Sequence, residues 1–333
     1  MAEAKLSRRK LGRLAAGFAG ASVLEAAIPG LLAPANASGP RGGLPQMLAK
    51  LVPFASAPFP YDGIRPDDGN QFLDTTGPDG RVGHASPRGG IYYADQTYSD
   101  NRVLVALPGG FDPGRRAAIV VFFHGNSATL ERDVIGRQRV LDQLQASHLN
   151  AALLAPQFAV DALDSSAGRF WQRGAFARFM AEGAAALAKL SGSREAQRHF
   201  AELPIILVAY SGGYNPAAYA LAVGGVGRRI RGVVLLDALV GETDKFLAWI
   251  AAGRDSNFFF SGYSKAAADG NATVERQLSA EGISYSASLP RTLNPGSITF
   301  IETDDADHDG YVTNAWVPDP LTWLFDRVPG FPR

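Results

Sequence analysis

The strongest constraint on this chain is a rhythm. From Ala118 onward, short uninterrupted apolar runs alternate with segments of helical pattern. Ala118-Ile-Val-Val-Phe-Phe123 carries no polar residue at alternate positions, so a strand made from it must be covered on both faces. Runs of the same kind stand at Ala151 to Ala155, Ile205 to Ala209, Val233 to Leu236, Phe258 to Phe260 and Ile298 to Ile301. Between them the apolar spacing predicts helices at Leu130 to Gln145, Ala175 to Leu190, Pro216 to Val223, Thr243 to Ala252 and Ala272 to Glu281. Strand and helix alternating in this way specify an α/β fold, a mostly parallel sheet with helices on both faces. Ile91 to Tyr93 and Arg102 to Leu107 add β character upstream, and no repeat or linker interrupts the chain after Gly90. The expectation is a single domain over residues 91–333.

The first 90 residues read differently. Ser7-Arg8-Arg9-Lys10 precedes an Ala- and Gly-rich apolar run that ends at Ala35-Asn36-Ala37, the small-x-small form that a signal peptidase accepts. This order resembles a bacterial twin-arginine signal peptide over residues 1–37, and implies export to the periplasm or beyond. Residues 38–90 are rich in Pro, Gly and Asp with little periodicity, and read as an irregular, extended leader either packed over the domain or partly mobile. Beyond residue 37 every apolar run falls short of the roughly 20 residues that span a bilayer, so no stable membrane insertion is expected after cleavage.

Charge and cysteine content remove whole classes of chemistry. The chain has 32 basic and 32 acidic residues, and without residues 1–37 it has a slight acidic excess, so no field favours a nucleic-acid backbone. It has no cysteine, which excludes thiolate nucleophiles, disulfides, iron–sulfur clusters and cysteine zinc sites. No His-Glu-x-x-His, Walker loop or Gly-x-Gly-x-x-Gly follows a strand, and no cofactor is implied. Asp305-x-Asp307-x-Asp309-Gly310 opens like a calcium loop, but its twelfth position is Trp316 where a bidentate carboxylate belongs.

What remains is oxygen and nitrogen chemistry, and one stretch concentrates it. Pro204 to Tyr219 reads as a strand, then Ser211, Gly212 and Gly213, then Asn215 and Pro216 in the positions that cap and open a helix. A strand that reverses into a helix over so few residues needs small neighbours and pushes the serine into the open. Ala209-Tyr210-Ser211-Gly212-Gly213 resembles the nucleophile elbow of the α/β-hydrolase superfamily, with Ala209 where Gly is commoner. That resemblance spans about residues 91–330 and implies the order serine, acid, histidine along the chain. His308, after the last strand, fits the base, whereas His84, His148 and His199 lie in irregular or polar surroundings. Asp237, ending Gly232-Val-Val-Leu-Leu-Asp237, is the leading acid, with Asp255 and Asp269 as further candidates. In the superfamily the acid more often follows the next strand, but Phe260-Ser-Gly-Tyr-Ser-Lys265 holds no carboxylate there.

The resemblance also implies an oxyanion hole from the amides of Gly212 and Asn126, the latter in Phe123-His124-Gly125-Asn126, with His124 structural. Within Arg102 to Asn126, the run from Leu107 to Gly125 looks locally like secreted esterases of the polyester-depolymerase and feruloyl-esterase kind. Pro156 to Trp171 is a long loop on the same side, so Trp171, Phe158, Asp161 and Asp164, together with Tyr210, are candidate substrate contacts. The implied function is a Ser-His-Asp hydrolase of small or polymeric carboxylic esters, with amides as a variant. Two other readings stay open: a binding protein on a degenerate hydrolase scaffold, and a calcium-dependent wall component.

Overall fold

The computed structural model describes residues 46–193, 195–303 and 306–333, so the signal-peptide expectation for residues 1–37 lies outside the described residues. Its strands are β1 (Leu48–Pro53), β2 (Thr75–Thr76), β3 (Val82–Ala85), β4 (Ile91–Tyr93), β5 (Arg102–Leu107), β6 (Ala118–Phe123), β7 (Ala151–Pro156), β8 (Ile205–Tyr210), β9 (Ile230–Leu236), β10 (Phe258–Tyr263) and β11 (Ile298–Glu302). Its helices are α1 (Ala94–Thr97), α2 (Val140–Ala146), α3 (Ala175–Leu190), α4 (Ala196–Glu202), α5 (Tyr214–Ala222), α6 (Thr243–Gly253), α7 (Ala268–Ala280) and α8 (Pro320–Phe325). Among the described residues no helix is long and apolar enough to cross a membrane.

Eight strands form one sheet in the order β1-β5-β7-β6-β8-β9-β10-β11. β5 runs antiparallel to both β1 and β7, and every pairing from β7 to β11 is parallel. This is the single-domain α/β-hydrolase arrangement. The unbroken apolar runs have a simple cause. In β6, Ile119, Val121 and Phe123 face one core, while Ala118, Val120 and Phe122 face the other. α3, α5, α6 and α7 cover the first face, and α2, α8 and the π-helical segment Leu130–Arg137 cover the second. Each Phe, Val or Ile so buried contributes on the order of 1.5–3 kcal/mol relative to exposure.

Three expectations need correction. Leu130 to Gln145 is not one helix: the π-helical segment and α2 are separated at Arg139, whose φ is 51°. The left-handed residue breaks the helix without disturbing the apolar spacing. Asn215 and Pro216 do not start their helix either, because α5 runs on directly from a 3₁₀ turn at Ser211–Gly213. The leader is also more ordered than its composition suggests. β1 is the edge strand of the main sheet, and β2, β3 and β4 make a separate three-stranded antiparallel sheet. Glu182 on α3 accepts the backbone N–H groups of Ala55 and Ser56, both at 2.9 Å, and Phe54 packs on Phe179. These contacts fasten the leader to the domain.

Because these strands run parallel, the C-terminal ends of β6, β8, β9, β10 and β11 emerge along one sheet edge. Ligand-contacting loops of open α/β sheets gather at that edge.

Candidate active site

β8 ends at Tyr210, and the chain turns at once through Ser211 into α5. Ser211 has a φ of 49°, in the left-handed region that non-glycine residues seldom occupy. The turn closes only because its neighbours lack side chains. A Cβ on Gly125 would sit 2.8 Å from the Ser211 Cβ, and one on Gly213 would strike the carbonyl oxygen of Phe123. Asp237, directly after β9, also has a left-handed backbone, with a φ of 48°.

These bends bring three side chains into one hydrogen-bonded row. Ser211 Oγ lies 2.8 Å from His308 Nε2, and His308 Nδ1 lies 2.6 Å from Asp237 Oδ2. Asp237 is fully buried, whereas the His308 side chain remains about one-third exposed, at 38%. A buried carboxylate beside Nδ1 places the imidazole proton there, leaving Nε2 free to accept from the serine hydroxyl. The hydrogen bond to Asp237, opposed in part by burial, raises the His308 pKa above its usual 6.5. Burial alone would raise the Asp237 pKa, but hydrogen bonds from His308 and from Ser264 outweigh it and hold the carboxyl below its usual value.

Two residues that the sequence reading did not single out support the site, Ser264 behind the acid and Gln157 behind the loop after β6. Ser264, at the end of β10, donates its backbone N–H to Asp237 Oδ1 at 2.9 Å and its hydroxyl to Oδ2 at 2.7 Å. Buried Gln157 receives the Leu130 N–H on Oε1 at 2.9 Å, and its amide nitrogen donates to the Ala128 carbonyl at 3.0 Å. A polar residue directly after an apolar strand was the available signal for Gln157. Next to it, His124 Nε2 accepts the Phe158 N–H at 2.9 Å, so its proton is on Nδ1, which donates to the Gly125 carbonyl at 2.7 Å. Burial pushes the His124 pKa down to about 4, so it is neutral and serves to shape the loop from Phe123 to Asn126.

The Asn126 amide orients to satisfy its neighbours. Its NH₂ donates to Ser165 Oγ at 3.1 Å and to the Asp164 carbonyl at 2.9 Å, and its oxygen accepts from Arg88 Nη1 at 3.3 Å. The same amide abuts Gly212, where any Cβ would collide with it. The loop after β6 and the turn after β8 therefore meet beside Ser211.

The expected substrate contacts fare unevenly. Phe158 is not on the site surface: it is 5% exposed and packs edge-on against Phe123, His124 and Phe170. Tyr210 is 3% exposed, with its ring stacked on His308 and its hydroxyl donating to the His308 carbonyl at 2.7 Å. Position in a loop or turn on the catalytic side suggests contact with substrate, but here each ring is absorbed by packing. Trp171 is half-buried against Tyr61, Phe72 and Tyr219, with its indole N–H on Asn215 Oδ1 at 3.2 Å. Asp161 pairs with Arg132 at 2.7 Å, and Asp164 is buried, accepting from the Tyr98 hydroxyl at 2.7 Å and from Ser166. Of the other acid candidates, Asp255 precedes β10 at the opposite sheet edge and Asp269 lies in the first turn of α7. Asp305, the first residue of the calcium-like spacing, lies outside the described residues.

No family model and no curated protein matches this chain. Solved structures do. A feruloyl esterase module from Clostridium thermocellum, complexed with sinapinate, is 15% identical, with 82% of this chain and 96% of that one covered and a TM-score of 0.42. An esterase from Thermogutta terrifontis with butyrate bound is 11% identical over 63% of this chain and 80% of that one, at a TM-score of 0.40. An S-formylglutathione hydrolase from Agrobacterium tumefaciens is 14% identical over 68% and 89%, at 0.38. What this chain is similar to is thus a set of esterases and hydrolases at low identity.

Proposed function

We propose that this protein is a serine hydrolase that cleaves carboxylic esters through an acyl-enzyme. One observation carries the reading: the row from Ser211 Oγ through the His308 ring to the buried Asp237 carboxylate, with both links at hydrogen-bond distance. In the first step the Ser211 hydroxyl proton moves to His308 Nε2 as Oγ bonds to the ester carbonyl carbon, and the carbonyl π pair becomes the oxyanion. The N–H groups of Gly212 and Asn126 receive that charge, which the close approach of the two residues supports. Collapse of the oxyanion breaks the bond to the alkoxide, which leaves with the proton from His308. Water then repeats the sequence, losing its proton to His308 and releasing the acid. Asp237 holds the tautomer and stabilises the imidazolium throughout, without taking the proton. Amide cleavage would use the same steps, and esters are preferred for their better leaving group.

We also propose that residues 1–37 direct export by the twin-arginine route; Lys at both Arg8 and Arg9 should leave the protein in the cytoplasm.

A fluorophosphonate probe tests the reading. It should label the wild-type protein and not Ser211→Ala, and the same change should lower kcat on p-nitrophenyl esters by at least about 10⁴-fold. Absence of labelling in the folded wild-type protein would favour the binding-protein reading instead.

A further inference from the structure

The leader adds a component to this site. β3 and β4 form a hairpin whose tip, residues 86–90, turns through Gly89 and Gly90 with φ values of 97° and 95°. That tip is fastened to the Pro156 to Trp171 loop. Ser86 Oγ donates to the Leu163 carbonyl at 2.7 Å, the Leu163 N–H donates to the Tyr92 hydroxyl at 3.1 Å, and the Arg88 N–H donates to Ser86 Oγ at 3.2 Å. The Arg88 backbone is therefore fixed at the rim of the site. Its guanidinium reaches Asn126, whose amide abuts Gly212.

The charges around it are otherwise engaged. Asp161 and Asp133 both pair with Arg132, Asp133 also with Arg137, and Asp74 with Arg65. Asp164 is buried and occupied by Tyr98 and Ser166. Among the described residues no carboxylate lies within ion-pair distance of Arg88. One of its five N–H donors meets a neutral amide oxygen, and the rest are available. Such a planar fork matches a carboxylate, and the Asn126 amide that it reaches lies against Gly212, the residue after Ser211.

We infer that Arg88 is a specificity-determining residue that binds a carboxylate carried by the substrate a few bonds from the scissile carbonyl. This rests on the hydrolase reading above and names its substrate class: half-esters of dicarboxylic acids and other esters with a nearby free acid. Leu163, half exposed beside the hairpin tip, offers an apolar surface to the carbon chain between the two groups.

The test compares two p-nitrophenyl esters, the glutarate monoester and its neutral analogue in which an isopropyl group replaces the carboxylate, after subtraction of spontaneous hydrolysis. The wild-type enzyme should favour the anionic ester in kcat/KM, with the preference weakening as salt is added. Arg88→Gln should reduce the ratio of the two kcat/KM values by about tenfold or more, Arg88→Lys by less, and Arg88→Glu should invert it. If Arg88 merely braces Asn126, Arg88→Gln will slow both esters equally and leave the ratio unchanged, which overturns the inference. Turnover of both esters without preference by the wild-type enzyme overturns it too and leaves the hydrolase standing, whereas turnover of neither overturns both.

Discussion

Ser264 gives both of its donors to Asp237: the backbone N–H to one carboxylate oxygen and the hydroxyl to the other. The end of β10 thus holds a residue that supports an acid rather than an acid. Asp237 reaches His308 from the neighbouring strand end, and Ser264 compensates the burial that the carboxylate undergoes there.

Removing that hydroxyl separates its two effects. Ser264→Ala should lower stability by about 1.5–3 kcal/mol, the range for a hydrogen bond to a charged group, as read from denaturant unfolding. It should also leave more negative charge for His308 to see, so the His308 pKa rises. The acid limb of kcat/KM should then move to higher pH, a shift that a purely structural role would not produce.

For the wild-type enzyme the same limb should have its midpoint above pH 6.5, because His308 must be neutral to accept the serine proton and its pKa is raised. Asp237→Asn should cut kcat by about 10⁴-fold. With the carboxylate gone, the His308 pKa falls and its titration, followed by NMR, should move to lower pH. An unmoved His308 titration would show that Asp237 does not set it.

The pH dependence of stability follows in sign. A raised folded-state pKa means that His308 contributes stability fully below its unfolded value near 6.5, and loses that contribution as pH rises through the folded value. The Tm difference between wild type and His308→Gln should therefore be largest below pH 6.5 and shrink as the pH is raised above it.

Gly213→Ala should be more damaging than its size implies. The new Cβ meets the backbone of Phe123 rather than a movable side chain, so the strand end carrying His124, Gly125 and Asn126 must shift. A loss of about 1–3 kcal/mol is expected from overpacking, with kcat falling more than stability explains.

Tyr210→Phe keeps the ring stacked on His308 and removes one hydrogen bond, the 2.7 Å link from its hydroxyl to the His308 carbonyl. Stability should drop by about 1 kcal/mol. As a positioning residue, Tyr210 should affect kcat while leaving KM nearly unchanged; a change confined to KM would instead restore it as a substrate contact.

The parallel part of the sheet was legible because residues such as Val121 and Phe122 announce two covered faces in consecutive positions. The placement of Ser211, Asp237 and His308 at one edge followed from strand ends and chain order. Other features left no such trace. β1 is a half-exposed edge strand, with Lys50 facing solvent, and it pairs with β5 across the intervening residues 54–101. Its partner sets its conformation more than its own periodicity does. Arg139 breaks a helix by one backbone angle, which hydrophobic spacing does not record. Phe158 and Tyr210 show that loop position does not report burial, and Ser264 and Arg88 owe their importance to partners distant in sequence.

Ser211 and Asp237 both occupy a backbone conformation that is natural to glycine, each at a penalty of roughly 1–2 kcal/mol. At Ser211 the polypeptide would settle more deeply with glycine, so ease of folding and the proposed reactivity oppose one another at that bend. At Asp237 the hydrogen bonds from Ser264 and His308 offset the same penalty, so a descendant released from the chemistry would gain robustness by discarding the serine side chain first.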